Sequence, residues 1–231
     1  MREIVLDTET TGFEPTEGHR IVEIGAVELY NHMPTGRTYH QYINPERPMP
    51  KEAFEVHGLG DEFLRGQPVF RAIAADFVAF IGPDRLVIHN AAFDMKFLNH
   101  ELSAVGLPPI PDRQALDTLL IARKKFPGSP ASLDALCRRF GVDNSGREKH
   151  GALLDSEILA EVYLELMGGR QPDFALVPEV RQVKGSDGES TEWRAGPRPA
   201  PLKPRLTEAE ASAHAGFVDA LGDLAIWIKR R

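Results

Sequence analysis

The order in which strand-like and helical patterns follow one another limits the possible folds of this chain more than any other feature of its sequence. Three strand-like segments come first, at residues 2–7, 20–30 and about 37–44, and residues 31–36 join the last two as in an antiparallel meander. Helical patterns follow at residues 50–56, 68–81, 91–105, 118–125, 131–140 and 151–168, with a strand-like segment at 85–89 and a short element at 116–117. Leading strands with helices interleaved afterwards predict an α/β fold, in which helices flank a mixed β-sheet.

The character of the sequence changes after residue 169. Residues 171–205 are rich in proline and glycine and show little periodicity, which predicts a flexible linker. Thr207 and Glu210 then form a capping-box pattern, and apolar residues repeat at helical spacing up to residue 228. Such an amphipathic helix has no core of its own, so it either folds back onto the first domain or docks into a partner. We therefore divide the chain into a domain at 1–170, a linker at 171–205 and a C-terminal segment at 206–231.

Composition and charge narrow the class of protein further. The chain has 231 residues, enough for one domain with a full core plus an appendage, and its single cysteine, Cys137, allows neither an internal disulfide nor a cysteine-based zinc site. No apolar run reaches the length of a membrane span and the N-terminus leads directly into a strand, so we expect a cytoplasmic protein with no membrane contact. The net charge of −7 argues against coating of duplex DNA through a basic face. A nucleic acid would have to be held locally, at a strand end, with metal ions cancelling carboxylate charge.

Two acids close the first predicted strand. Asp7 and Glu9 lie two residues apart, and on a strand this spacing puts both carboxylates on one face, at the carboxyl end. Adjacent acids repel each other unless a cation lies between them, and Mg²⁺ is typically bound by one or two carboxylates plus substrate phosphates. A pair of solvated acids beside a turn is the alternative, and it is equally compatible with these two residues alone.

Asp94 and Asp155 each stand at the head of an apolar stripe on a predicted helix. Apolar residues follow Asp155 at +3, +4, +7 and +11, and they follow Asp94 at +3, +4, +8 and +11. Each carboxylate is therefore expected on the buried face of its helix, where an unpaired charge needs a cation or several hydrogen-bond donors. The alternatives are an acid complementing the helix dipole for Asp155 and helix capping for Asn90 and Asp94. This geometry favours the functional interpretation for Asp155 and leaves the two interpretations of Asp94 balanced.

His150 precedes Asp155 by five residues. On one helix, five steps would separate the two side chains by about 140°, so they can meet only if His150 lies in the preceding loop, which Gly151 permits. A histidine beside a metal-binding carboxylate is suited to act as the general base that activates water. The alternative is a solvent-exposed loop histidine with no catalytic role.

These five candidate residues come from widely separated segments, each at the end of a strand or the start of a helix. Two-metal phosphodiesterase sites are assembled in this way. The residues therefore favour a metal-dependent nuclease built from Asp7, Glu9, Asp94, His150 and Asp155.

The segments that carry these residues resemble the motifs of the DEDDh 3′→5′ exonucleases. They read IVLDTETTG at 4–12, HNAAFD at 89–94 and HGALLD at 150–155. Within that superfamily the chain resembles the proofreading (epsilon) subunits of bacterial DNA polymerase III, through RIVEIGAVE at 20–28, EAFEVHG at 52–58, SLDALC at 132–137 and EILAEVYLELMGG at 157–169. The resemblance covers nearly all of residues 2–169.

The resemblance implies an RNase H-like fold and an enzyme that removes mispaired 3′-terminal deoxynucleotides as 5′-monophosphates. It implies two divalent cations, Mg²⁺ or Mn²⁺, held by Asp7, Glu9, Asp94 and Asp155, with His150 as the base that deprotonates the attacking water. The residues that it implies at the DNA 3′ end are Asp7, Glu9, Thr10, Glu52, His57, Asn90, Phe93 and Asp155.

The C-terminal part of the chain fits the same resemblance. In this family a linker and a C-terminal segment tether the exonuclease to the polymerase (alpha) subunit, which would bind the helix within 206–231. The family also implies a small accessory (theta-like) subunit. Gln171–Leu176 occupies the place of a short sliding-clamp-binding motif, but Pro172 and Phe174 depart from its usual pattern, so an ordinary linker is an equal alternative.

Two other functions remain open on the sequence. An RNA-trimming exoribonuclease of the same superfamily would carry identical catalytic motifs, and the linker with its tethered helix is what distinguishes a proofreading subunit from it. A non-catalytic scaffold subunit could lose any of the five catalytic residues, whereas this chain retains all of them.

Overall fold

A five-stranded mixed sheet organises the first part of the chain. The computed structural model describes residues 1–146, 149–169, 182–184, 190–192 and 206–221. The strands of this sheet are β1 (Arg2–Thr10), β2 (Ile21–Tyr30), β3 (Met33–Tyr42), β4 (Arg85–Ile88) and β5 (Ala115–Asp117). Their order is β3-β2-β1-β4-β5, in which β2 is antiparallel to both neighbours and β1, β4 and β5 run parallel.

Helices cover both faces of this sheet. They are α1 (Lys51–His57), α2 (Asp61–Leu64), α3 (Phe70–Ile81), α4 (Ala91–Ala104), α5 (Thr118–Lys125), α6 (Leu133–Phe140) and α7 (Ala152–Leu166). Ile4 and Leu6 of β1 contribute to one core cluster with α3 and α4, while Val5 contributes to a second cluster with α6 and α7. Alternate residues of β1 therefore face opposite helix layers, as the pleat of a strand requires. The mixed sheet between two helix layers confirms the predicted α/β class.

The connection between β2 and β3 is shorter than the sequence predicts. A loop is expected over residues 31–36, but Asn31 and His32 alone make the turn, with φ values of 51° and 65°. Two residues with positive φ match the twist of the flanking strands. The prediction was wrong because contacts distant in sequence stabilise His32, whose ring centroid lies 5.4 Å from that of Tyr163 and whose Nδ1 lies 2.8 Å from buried Glu3.

The chain divides into two compact units, Met1–Phe174 and Ala175–Arg231. In the second unit, β6 (Gln182–Lys184) pairs antiparallel with β7 (Ser190–Glu192), and α8 covers Glu208–Ala220. Thr207 and Glu210 form the capping box that the sequence predicts at the start of this helix.

Several sequence predictions concern residues outside those described. They are the remainder of the linker at 171–205, the clamp-like segment Gln171–Leu176, and the last part of the C-terminal segment at 222–231. Within the described part of the chain, no helix is both long enough and apolar enough to cross a membrane.

Candidate active site

β1 carries Asp7 and Glu9 at its carboxyl end, in the middle of the sheet. Asp7 pairs with Gly25 of β2 and Glu9 pairs with Glu23, so both acids lie on the face of β1 that α7 covers. Glu9 is 8% exposed. The structure therefore places the two carboxylates on one face, as their spacing predicts.

Gly25 determines how closely the first turn of α7 approaches the sheet. A Cβ atom at this position would lie 2.1 Å from the backbone nitrogen of Leu153, which is too close for any side chain. The hydroxyl of Ser156 donates to the Gly25 carbonyl oxygen over 2.9 Å and fixes this contact. Because Gly25 pairs with Asp7, the close approach brings Asp155 of α7 beside the acids of β1.

Asp94 and Asp155 are almost completely buried in the first turns of α4 and α7. Each is 3% exposed, and apolar residues of the same helices lie in the core, as the predicted stripes require. The hydroxyl of Thr8 donates to Asp94 Oδ1 over 2.7 Å, and burial raises the pKa of Asp94 to about 7. Burial disfavours the charged carboxylate, so a neighbouring cation would stabilise the charged form of Asp94.

His150 lies in the loop before α7, where its spacing to Asp155 requires it to be. The helix begins at Ala152, after Gly151 in an extended conformation with φ of −151°. His150 Nδ1 lies 3.2 Å from Asp155 Oδ2, and the His150 side chain is 48% exposed. A carboxylate at Nδ1 favours the tautomer that carries its proton there, so Nε2 is the basic nitrogen of the ring. The geometry is therefore suited to proton transfer from water.

Glu9, His150 and Asp155 form a cluster that can hold a metal ion. One ligand atom from each lies within 4.8 Å of the other two. The cleft around them, of about 560 Å³, is also lined by Asp7 and Asp94, so all five candidate catalytic residues meet in one place. Carboxylate oxygens are the ligands that hard divalent cations prefer, and a cation also offsets the cost of burying Asp94. The donor set therefore fits divalent metal ions.

A second cleft, of about 450 Å³, adjoins the first because Thr8, Glu9 and Phe93 line both. Its walls are mainly apolar and include Phe13, Val56 and other residues of the β1–β2 connection and α1. This volume lies in the usual range for small-ligand pockets. The residues expected at the DNA end that line it are Glu9, Thr10, Glu52, His57 and Phe93.

His57 lies buried at the end of α1 and is one of the residues that line this second cleft. Its Nδ1 accepts a hydrogen bond from the backbone N–H of Leu59 over 3.0 Å, so the proton of the neutral ring lies on Nε2. Burial lowers the pKa of His57, against a smaller opposite effect of the Thr10 backbone. Among the described residues, the buried Nε2 makes no regular hydrogen bond.

The larger cleft contains residues that the sequence does not single out. His89, Arg123 and Asp134 line it, the last two from α5 and α6. Polar residues on a helix look alike in sequence whichever way they face, so no pattern identifies Arg123 or Asp134. Asn90 also lines this cleft, and it occupies the N-cap position of α4 without a side-chain capping bond; its backbone N–H donates to Asp117 Oδ1 over 3.1 Å. The capping alternative is therefore wrong for Asn90.

Comparison with solved structures shows the fold. The chain aligns with Exonuclease X in complex with 5′ overhanging duplex DNA, with a TM-score of 0.56 and 23% identity over 71% of this chain and 90% of the other. It also aligns with the nuclease domain of 3′hExo, a DEDDh family member bound to rAMP, with a TM-score of 0.63 and 21% identity over 72% of this chain and 91% of the other. The RNase H-like fold is thus that of the DEDDh exonucleases.

Sequence comparison shows the family. The exonuclease family model matches residues 4–163. DNA polymerase III subunit epsilon of Rickettsia conorii is 50% identical over 96% of this chain and 96% of its own length. The protein of the same name from Escherichia coli is 44% identical over 98% of this chain and 97% of its own. The chain therefore belongs to the exonuclease family and, within it, to the epsilon subunits of DNA polymerase III.

Proposed function

We propose that this chain is the proofreading 3′→5′ exonuclease of a replicative DNA polymerase III. It removes mispaired 3′-terminal deoxynucleotides from a single-stranded or frayed primer end and releases them as 5′-monophosphates. The observation that carries the proposal is the meeting of Asp7, Glu9, Asp94, His150 and Asp155 in one cleft that opens into a second, largely apolar one. Catalytic groups and a pocket for one nucleotide are what a terminal hydrolase needs.

The carboxylates of Asp7, Glu9, Asp94 and Asp155 would hold two divalent cations, Mg²⁺ or Mn²⁺. When bound, such cations stabilise the charge that develops on the phosphate and lower the pKa of bound water. His150 Nε2 accepts the proton of the attacking water, while Asp155 at Nδ1 stabilises the imidazolium that forms. Asp155 therefore serves both as a metal ligand and as the partner that orients the base.

The second cleft binds the terminal nucleotide. Phe93 at its junction with the catalytic cleft offers an aromatic surface to a base, and base–aromatic stacking is worth about 1–3 kcal/mol. Glu52 and His57 contact the terminal nucleotide, and the backbone around Thr10 helps to hold its base. Asn90, which lines the catalytic cleft, contacts the same nucleotide from that cleft. The nucleotide is thus fixed with its 5′ phosphate toward the metal ligands.

Release of nucleotides from primer ends tests this function directly. We expect hydrolysis of single-stranded DNA and mismatched ends, slower hydrolysis of matched ends, and no release in the presence of a chelator. Single-stranded RNA of the same sequence provides the control for a trimming exoribonuclease. A clear preference for RNA would overturn the proofreading assignment, and chelator-insensitive or absent release would support a non-catalytic scaffold.

The C-terminal segment, residues 206–231, is the proposed tether to the polymerase (alpha) subunit. Deletion of 207–231 should leave hydrolysis of free single strands intact and weaken copurification with the polymerase subunit. Loss of hydrolysis would mean that this segment supports the catalytic domain instead. Two further partners are proposed: a theta-like accessory subunit, and the sliding clamp, which would bind at Gln171–Leu176. The proposed location is the cytoplasm, where replication takes place.

A further inference from the structure

The loop that carries His150 contacts α1 and the glycine that follows it at three points. The backbone N–H of His150 donates to the Val56 carbonyl oxygen over 3.2 Å. The ammonium group of Lys149 lies 5.0 Å from the centre of the Phe54 ring. The Lys149 side chain also crosses Gly58, where its Cδ lies 2.8 Å from the position that a Cβ would occupy. Two consecutive loop residues are thus attached to one end of a single helix.

These contacts satisfy the carbonyl groups and the partial negative charge at the C-terminal end of a helix. The Val56 carbonyl belongs to the last turn of α1, whose carbonyl groups lack partners within the helix, and the His150 N–H satisfies it. A positive charge is favourable near a helix C-terminus, where Lys149 lies. Gly58 follows α1 with φ of 75°, and its lack of a side chain leaves room for Lys149.

The same helix forms a wall of the nucleotide pocket. Glu52 and His57 of α1 line the second cleft, whereas Phe54 is 42% exposed and is not among the residues that line it. One face of α1 therefore meets the substrate, and another holds the loop of the general base. A displacement of α1 when the pocket fills would be transmitted to His150 through Phe54 and Lys149.

We propose that Lys149 is a positioning residue, which stacks on Phe54 to hold the His150 loop against α1 and so couples occupation of the nucleotide pocket to alignment of the base. The inference rests on the proposed function, since it assumes that His150 activates water and that the pocket holds the terminal nucleotide. Lys149 touches neither substrate nor metal ligands in this scheme, and it acts through His150.

Single-turnover hydrolysis of a saturating single-stranded DNA separates this role from a direct contact with DNA. Lys149→Met keeps the apolar stem but removes the charge, and it should lower the maximal rate about threefold to tenfold with an unchanged half-saturating DNA concentration. Lys149→Arg should restore the rate, because a guanidinium also stacks on an aromatic ring. Lys51→Met is the matched control, since it removes the same charge from the exposed first turn of α1 without touching the loop.

Phe54→Leu should reproduce the rate loss of Lys149→Met, and the double variant should be no slower than either single one, since both changes break one contact. Independent, multiplying effects would overturn the proposal. So would an unchanged maximal rate in Lys149→Met, or a raised half-saturating concentration alone, which would identify a phosphate contact. All variants should melt within a few degrees of the wild type, because both side chains are exposed.

Hydrogen exchange at the His150 amide gives a readout that does not require activity. Exchange should be faster in Lys149→Met and Phe54→Leu than in the wild type or Lys51→Met. Deoxythymidine 5′-monophosphate, used as a probe of the pocket, should slow this exchange in the wild type and have less effect in Lys149→Met. Equal exchange in all proteins would refute the coupling, whereas absence of nucleotide release from the wild type would refute the proposed function instead.

Discussion

The buried acids of the catalytic cleft and its histidine are held in opposite ways. Asp94 and Asp155 are each 3% exposed and stand on helices whose apolar faces form the core. The His150 side chain, which contacts Asp155, is 48% exposed, and its loop rests on the surface of α1. The groups that must keep fixed distances to a cation are thus set by the core. The histidine that must take up and release a proton is instead carried by a loop at the surface.

Removal of a carboxylate from the proposed metal-ligand set should give the largest effect. Asp7→Ala should lower Mg²⁺-dependent nucleotide release by at least about 10³-fold, because the site loses a metal ligand. The free energy of unfolding should not fall, since repulsion with Glu9 is relieved. Steady-state release and urea unfolding measure the two quantities, with Glu17→Ala as a control at an exposed acid. An active Asp7→Ala would remove this residue from the ligand set.

Removal of His150 tests the role of the exposed catalytic group. His150→Ala should slow hydrolysis by about 10²–10⁴-fold, the usual contribution of a general base, while binding of single-stranded DNA and thermal stability stay unchanged. His100→Ala on the exposed surface of α4 provides the control. If turnover survives with the same pH profile, another group is the base.

The spacing between the sheet and α7 can be disturbed without touching a catalytic side chain. Gly25→Ala should lower the free energy of unfolding by about 3 kcal/mol, because its methyl group would meet the backbone of α7. Activity should fall as well, since α7 carries Asp155. Gly66→Ala is the control, because a Cβ there has its closest neighbour at 3.9 Å. Equal stability of the two variants would show that α7 can move away at little cost.

The smallest expected effect concerns the protonation of Asp94. Its pKa is raised from 3.8 to about 7, so the folded state binds the proton more tightly than the unfolded state. This contribution to stability is complete below about pH 4 and is lost as the pH rises through about 7. In the presence of chelator at pH 8, Asp94→Asn should therefore be more stable than the wild type, by on the order of 2 kcal/mol.

Differential scanning calorimetry between pH 5 and pH 8 would measure this difference. It should shrink toward pH 5, and Mg²⁺ should stabilise the wild type but not Asp94→Asn. Asp76→Asn, at an exposed acid on α3, provides the control. A wild type that gains stability with rising pH relative to Asp94→Asn would contradict the assigned direction of the pKa shift.

Local patterns were sufficient for the main features of this site. Helical periodicity alone predicts the burial of Asp94 and Asp155, and the five-residue spacing alone places His150 in a loop beside Asp155. The strand spacing likewise predicts one face for Asp7 and Glu9. These predictions succeeded because each depends on the geometry of a single element and its immediate neighbours.

Contacts between distant segments were not predictable in this way. Gly25 stands within a buried strand, which is a known signal of close backbone approach, but only the fold reveals that α7 is what approaches. Lys149 and Phe54 belong to segments whose patterns carry no information about each other. The roles assigned to Thr10, Glu52, His57 and Phe93 came from the family resemblance alone, and their place around one cleft required the fold.

The central position of β1 protects the acids of the site from local unfolding. This strand has a hydrogen-bonded neighbour on each side, whereas β3 and β5 at the edges of the described sheet have one. Partial opening of a sheet begins at its edges, so fraying there leaves Asp7 and Glu9 in place. We expect the amide protons of β1 to exchange only through cooperative unfolding of the whole domain. Asp7 and Glu9 should therefore keep their positions for as long as the domain stays folded.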